Sequence, residues 1–353
     1  MTPTDLSTAL TEVRDAVEAP PADRLAFHAR VRAERRRRTA GRAAIALAGA
    51  AAAASVVGGV LQVLPEEEGT PVATTPPREV ADPTRVVGFV VQDRLVVGGP
   101  GGFTATDVPA RNVLGVFDGQ LLLADTTGAL VSVSVDEDGV PGASQRLGTV
   151  LRAYADGADR VVVEETEGVY RAWRPGTEGL TVMDLDLGDD VATAFDGDRR
   201  VDSGPDGYTL VGVDGPVREL PAGGGIIDQD LVAGVLALET LRGARFFDAD
   251  TGEVLARVRG EGYTGGLSPD AATYARSTED GVVLVDPRTG RRTPVEMAVD
   301  VRAGGIAWTG ADTFVAAGRD DDTGTGVLQE CDAVARTCRL LYEDPSGTLK
   351  LSS

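Results

Sequence analysis

From Arg85 to Ser353 the chain is built of short Val/Leu-rich runs broken by Gly, Asp and Pro. The runs recur with a period of roughly 40 residues, the length of one four-stranded unit in a radial repeat protein. Strand starts fall near Val86, Asn112, Thr149, Asp190, Ile226, Gly265 and Gly304. Runs such as Leu121–Ala124, Val161–Val163, Val282–Val285 and Phe314–Ala317 have the length and branched content of buried strands. No long amphipathic helix interrupts them. A unit of this size exposes two apolar faces and cannot stand alone, so its neighbours must cover it.

Each unit reads as a strand, a Gly/Asp turn, a second strand and then a hairpin. Two hairpins are clear, Phe247–Val254 and Val285–Arg292, with Thr251-Gly252 and Thr289-Gly290 at their tips. Glycine there supplies the positive φ that a reversing turn requires. Periodic four-stranded units predict an all-β propeller, in which ring closure covers both faces of every blade. The 269 residues from Arg85 to Ser353 hold seven such units, so a seven-bladed β-propeller is the expectation. Six or eight blades, and a pair of β-sandwiches, are the alternatives.

The stretch Gly266–Ala275, with its Leu267-Ser268-Pro269-Asp270 core, resembles a strand start of WD40-like and TolB/YncE-like propellers. Ile306–Val315 is a looser copy. The Trp-Asp dipeptide of true WD40 repeats is absent.

The first quarter of the chain has a different character. Residues 1–42 hold nine Arg against six Asp and Glu, a net of +3, which leaves −24 on residues 43–353 out of −21 overall. Arg30, Arg32, Arg35 to Arg38 and Arg42 concentrate that positive charge. Ala43–Leu64 follows, 22 residues with no charge. At ~1.5 Å per residue a helix of that length reaches about 33 Å and matches a hydrocarbon core of ~30 Å. One transmembrane helix is therefore expected at 43–64. A cleavable signal peptide has a shorter leader and a shorter apolar core; a buried Ala-rich helix would need no arginines beside it. Arginines stay on the cytoplasmic side of a span. This orientation predicts a plasma-membrane protein with a single pass, its N-terminus cytoplasmic and its C-terminal domain extracellular. Pro65–Thr84, with five prolines, reads as an extended linker. The expected domains are thus 1–42, 43–64, 65–84 and 85–353.

Within the tail, Leu6, Leu10, Val13 and Val17 form one helical stripe, and Leu25, Phe27 and Val31 mark a second short helix. A short helical cytoplasmic tail, an arginine cluster and an Ala-rich span together resemble actinobacterial membrane proteins associated with sigma factors, some of them anti-sigma factors. That resemblance implies a sigma factor as cytoplasmic partner. The zinc pattern of one anti-sigma class is missing, since no cysteine follows His28 in the tail.

Composition narrows the chemistry further. His28 is the sole histidine, Lys350 the sole lysine, and Cys331 and Cys338 the only cysteines. Zinc sites built from several His or Cys ligands and His-dependent triads in the C-terminal bulk are excluded. The two cysteines flank a hairpin-length turn equivalent to the Thr-Gly turns. A Cys331–Cys338 bridge is the expectation, free buried thiols the alternative. Disulfides persist outside the reducing cytosol, in line with the orientation above. Acidic groups cluster at Asp184, Asp186, Asp189 and Asp190, at Asp196, Asp198, Asp202 and Asp206, and at Asp320 to Asp322. Calcium loops use such residues, but so do tight turns, in which Asp bonds its own backbone. No catalytic, cofactor or metal residues are assigned, and no cofactor is expected. The acidic balance argues against nucleic acid as a partner. The sequence thus predicts a non-enzymatic, membrane-anchored sensing propeller, with the lipid bilayer, a protein or cell-wall ligand outside and a sigma factor inside as partners. The alternative is an envelope hydrolase or lyase using carboxylates in the propeller channel.

Overall fold

The computed structural model describes residues 76–351, apart from 157–159, 178, 184, 186, 188, 189, 205, 206, 214, 221–225, 241, 321 and 322. The expected tail, transmembrane helix and first part of the linker, with His28, lie outside the described residues. So do Asp184, Asp186, Asp189, Asp206, Asp321 and Asp322.

Among the described residues every regular element is a strand. They form seven antiparallel units in chain order, hereafter blades 1 to 7. Their innermost strands are Val87–Val91, Asn112–Phe117, Arg152–Asp156, Val191–Asp196, Ile226–Val232, Gly265–Leu267 and Arg302–Trp308. Each begins within a few residues of the start read from the sequence. Blades 2 to 7 carry four strands of their own, each paired with the next. Blades 3 and 4 are also joined through one parallel pair, Phe195 with Asp156.

The core explains why strands here are apolar on both faces. One buried cluster fills each junction between successive blades. Leu121 and Leu123 pack toward blade 1 with Val90 and Val97, whereas Leu122 packs toward blade 3 with Val161, Val163 and Trp173. Further clusters join blades 3 to 4, 4 to 5, 5 to 6 and 6 to 7. The seventh joins the last blade to the first, through Val87 and Phe89 against Val315, Leu328, Leu341 and Tyr342. The ring is closed by packing, and the propeller reading holds.

Closure uses both ends of the described chain, which the sequence did not indicate. Blade 1 has three strands rather than the expected four, ending at Pro109. Near the C-terminus, Lys350 pairs with Val90 through both backbone hydrogen bonds, at 2.9 Å each. At the other end, Arg78–Glu79 pairs with Glu343 and Tyr342 as a fifth, outermost strand of blade 7. The linker read from composition as running to Thr84 therefore gives way to sheet at Arg78. Proline density suggested a spacer; the pairing partners lie more than 250 residues away, where composition carries no signal. Thr84 continues the strap, its N–H and hydroxyl both donating to Glu330 Oε1 at 2.9 and 2.7 Å.

The predicted hairpins hold. Gly252 and Gly290 sit at φ 69° and 70°. In each, an aspartate at the turn's start, Asp248 or Asp286, accepts the backbone N–H and hydroxyl of the threonine three residues on. Cys331 and Cys338 lie directly opposite each other across the corresponding hairpin of blade 7 and are bonded. Closing a loop this short contributes about 2.5 kcal/mol in the chain-entropy model.

Candidate functional site

The inner strands enclose a cavity of about 810 Å³. All seven blades contribute to its lining. Most of that lining is backbone, Val, Leu, Ala and Gly, because inner strands must approach each other closely. Polar side chains enter from several blades, most densely from blade 5. Blade 5 presents Asp228, Gln229 and Asp230, flanked by Thr193 of blade 4 and Trp308 of blade 7. Tyr154 of blade 3, Asn112 and Glu137 of blade 2, Thr84, Arg85 and Thr309 complete the polar lining.

Alternation along Ile226–Val232 determines what these side chains reach. Asp228 and Asp230 turn toward blade 6. Asp228 Oδ2 accepts from the Thr264 hydroxyl at 2.9 Å and the Gly265 N–H at 3.1 Å. Asp230 Oδ2 accepts the Leu267 N–H at 2.7 Å. Gln229 turns the other way and donates Nε2 to the Thr193 carbonyl at 2.8 Å. Its Oε1 is buried with no hydrogen-bond partner among the described residues. Trp308 donates its indole N–H to the Gly266 carbonyl at 2.8 Å, which fixes the ring at the cavity wall.

Two carboxylates on one strand face, in a poorly hydrated wall, cannot both ionise cheaply. Burial pushes Asp230 up to about 6, with the neighbouring Asp228 charge adding to the effect, against the lowering influence of the Leu267 N–H. Burial also raises Asp228, although three hydrogen bonds oppose it. Asp230 thus changes charge near pH 6.

A raised folded pKa means that Asp230 contributes its stability below the unfolded value of ~3.9 and loses it as pH climbs through about 6. Asp230→Asn, which can still accept from Leu267 N–H, is therefore expected to stabilise the protein at pH 7.5 by roughly 1–3 kcal/mol. Urea unfolding at pH 4.5 and 7.5 checks this: the gain should shrink at the lower pH. A variant equally stabilised at both values would contradict the assignment.

Among the described residues, the acidic groups singled out in the sequence have separate local partners. Asp196 Oδ2 accepts the Gly234 N–H of blade 5 at 2.8 Å, and Asp156 repeats the device on the Gly197 N–H of blade 4 at 2.7 Å. Asp202 pairs with Arg200 at 2.9 Å, and Asp320 accepts the Thr323 N–H at 3.1 Å. Asp196 and Asp156 staple neighbouring blades, Asp202 pairs within its own strand, and Asp320 caps a turn. No group of three His, Cys, Asp or Glu that could hold a metal ion occurs among the described residues. Sequence reasoning passed over Asp228 and Asp230. The signal was present: Ile226-Ile-Asp-Gln-Asp-Leu-Val232 places two carboxylates at alternate positions of a strand with apolar ends.

No family model matches the chain, and no curated protein matches it. Among solved structures it is similar to Hsv2p of Kluyveromyces lactis, at 14% identity over 74% of this chain and 98% of that one, with a TM-score of 0.43. Similarity extends to AztD of Citrobacter koseri (13% identity, 72% and 79% covered, TM-score 0.46) and to BamB of Moraxella catarrhalis (14%, 77% and 97%, TM-score 0.39).

Proposed function

We propose that this protein is a membrane-anchored binding and sensing propeller whose ligand enters the central cavity and is held by Asp228 and Asp230. One observation carries the reading. A cavity of about 810 Å³, lined largely by Val, Leu, Ala and Gly, holds two carboxylates at alternate positions of one strand. Apolar walls with a few convergent polar groups are the usual build of a ligand site. Two carboxylates favour a ligand that offers N–H or ammonium donors, such as a basic peptide or an amine-bearing cell-wall fragment.

The anchor and the tail belong to the same proposal and rest on sequence. The uncharged run at 43–64, with arginines on one side and Glu66 to Glu68 on the other, supports a single pass with the propeller outside. A tail resembling those of sigma-factor-associated proteins supports a cytoplasmic sigma factor as the regulated partner. Protease added to intact cells should then cut the C-terminal portion without lysis; protection until lysis would reverse the orientation.

The binding claim is tested with the full chain and a panel of Lys/Arg-containing peptides and amine-bearing muropeptides, by thermal shift at pH 5 and 7.5. Binding should be stronger at pH 7.5, with Asp230 ionised, and fall about tenfold or more in the Asp228→Asn/Asp230→Asn double variant. Uncharged ligands bound equally well by the double variant would remove the carboxylates from the role. A second reading, an envelope hydrolase, is favoured only by Asp230 itself, since a carboxyl near 6 suits a general acid. Turnover of a glycoside or lactone by the wild type, abolished in Asp230→Asn, would replace the binding reading.

A further inference from the structure

In a chain of net charge −21, arginines in the ring are expected to stand against carboxylates, and around blade 5 several do. Arg199 grips Asp250 with two bonds, at 2.6 and 2.9 Å. Arg276 grips Glu239 in the same manner. Arg218 reaches from blade 4 to the Gly252 carbonyl and lies over the Phe247 ring. On blade 5 itself the pattern breaks. Arg245 on the third strand and Arg257 on the fourth are direct cross-strand partners. Their side chains share one sheet face with Leu238, and Cβ atoms in such pairs stand ~5 Å apart. Arg259 follows on that face two residues along, beyond Gly243, which has no side chain to separate it from the pair.

None of these three arginines forms an ion pair with any described residue. Arg257 and Arg259 are exposed and Arg245 half-buried. Arg292 of blade 6 is engaged otherwise, donating Nη1 to the Arg259 carbonyl at 3.0 Å. Like charges placed directly opposite are destabilising. Folding alone would favour a neutral or acidic residue at one position of the pair, so the arrangement calls for a counter-charge supplied from outside.

We propose that Arg245, Arg257 and Arg259 form a docking face on the outer part of blade 5 for a short acidic segment of a protein partner. Guanidinium groups bind carboxylates through paired N–H donors. Along a strand, alternate residues repeat every ~6.6–7 Å, so Arg257 and Arg259 match alternate carboxylates of an extended acidic peptide. The overall charge selects against larger polyanions. A membrane or a nucleic acid meets the repulsive field of the whole −21 surface. A short peptide meets only charges within a Debye length of ~8–10 Å. This face is separate from the central cavity, and its test does not depend on what binds there.

The experiment measures binding of a fluorescein-labelled hexaglutamate peptide to the full chain by anisotropy. Binding is expected, weakening steeply between about 50 and 300 mM NaCl, and falling roughly tenfold or more in Arg245→Gln/Arg257→Gln. Arg257→Lys should retain only part of the affinity, because the charge stays but the forked geometry goes. Removing the like-charge pair should leave the melting temperature unchanged or raise it. Unchanged peptide affinity in the double variant would overturn the proposal, as would a clear fall in melting temperature, which would make the pair structural. Tighter binding of inorganic polyphosphate or of phosphatidylglycerol vesicles than of the peptide would overturn the choice of partner.

Discussion

Arg276→Leu is expected to cost about 3–5 kcal/mol of folding stability, because it strands a carboxylate where water cannot reach it. Arg276 and Glu239 sit on the second strands of blades 6 and 5 and are essentially fully buried, 1% and 0% exposed. Nε and Nη2 meet the two carboxylate oxygens at 2.8 and 2.7 Å, and Nη2 also donates to the Gly260 carbonyl at 2.7 Å. Gly262 stands so close that a Cβ there would come within 2.5 Å of the guanidinium. Urea unfolding of the variant at pH 7.5 provides the measurement. Burial already raises Glu239 above the ordinary range, with Arg276 opposing that rise. Without Arg276 the rise is unopposed. A raised carboxyl supplies stability below its unfolded pKa and loses it as pH rises, so part of the variant's loss should return between pH 7.5 and 5. Glu239→Met/Arg276→Met, which removes both charges, should recover most of the deficit. A single variant within about 1 kcal/mol of wild type would show that the pair does not hold blades 5 and 6 together.

Asp344→Ala is expected to open the ring at its C-terminal end, with a loss of about 3–5 kcal/mol. This carboxylate is fully buried and accepts five donors. Oδ1 takes the N–H and hydroxyl of Ser346, and Oδ2 takes the N–H and hydroxyl of Thr348 and the N–H of Leu349. Those bonds turn the chain back so that Lys350 reaches Val90. Thr348 also accepts the Gln92 N–H at 3.0 Å, which links the same turn to blade 1. For a unit of this size the loss corresponds to a melting-temperature drop of roughly 6–10 °C. Burial tends to raise the carboxyl, but the Ser346 and Thr348 bonds outweigh it and hold Asp344 below the ordinary range. Its contribution is therefore complete above the unfolded value of ~3.9 and fades as pH falls through the lower folded value. Wild type and variant should converge in stability only in strong acid. Hydrogen exchange offers a second readout: the Lys350 and Val90 amides should lose protection before the amides of blades 4 and 5. Unchanged protection at Val90 would mean that the tail closes without Asp344.

Asp228 and Asp230 show where sequence reasoning stopped. The strand that carries them was located at Ile226, and its alternation was visible. What it could not disclose is that both carboxylates meet backbone N–H groups of the next blade. Runs of Asp in turns drew attention instead, since acidic clusters are more conspicuous than two carboxylates in a strand. Asp248 and Asp286 illustrate the opposite case. Their turn chemistry involves neighbours three residues away and was legible from Thr-Gly alone.

What the sequence determined by itself is what depends on near neighbours. Strand starts, hairpin glycines, the Cys331–Cys338 hairpin and the recurrence that yields seven blades all follow from run lengths, turn residues and alternation. What the tertiary structure alone decided is which side chains meet across blades. Glu239 and Arg276 lie 37 residues apart, and Arg78 reaches Glu343 from the far end of the chain. Such partners depend on register and on which face of each strand turns toward which neighbour. A shift of one residue sends every side chain to the other face, so only the closed ring determines that Asp230 lines the cavity and that Arg245 stands against Arg257.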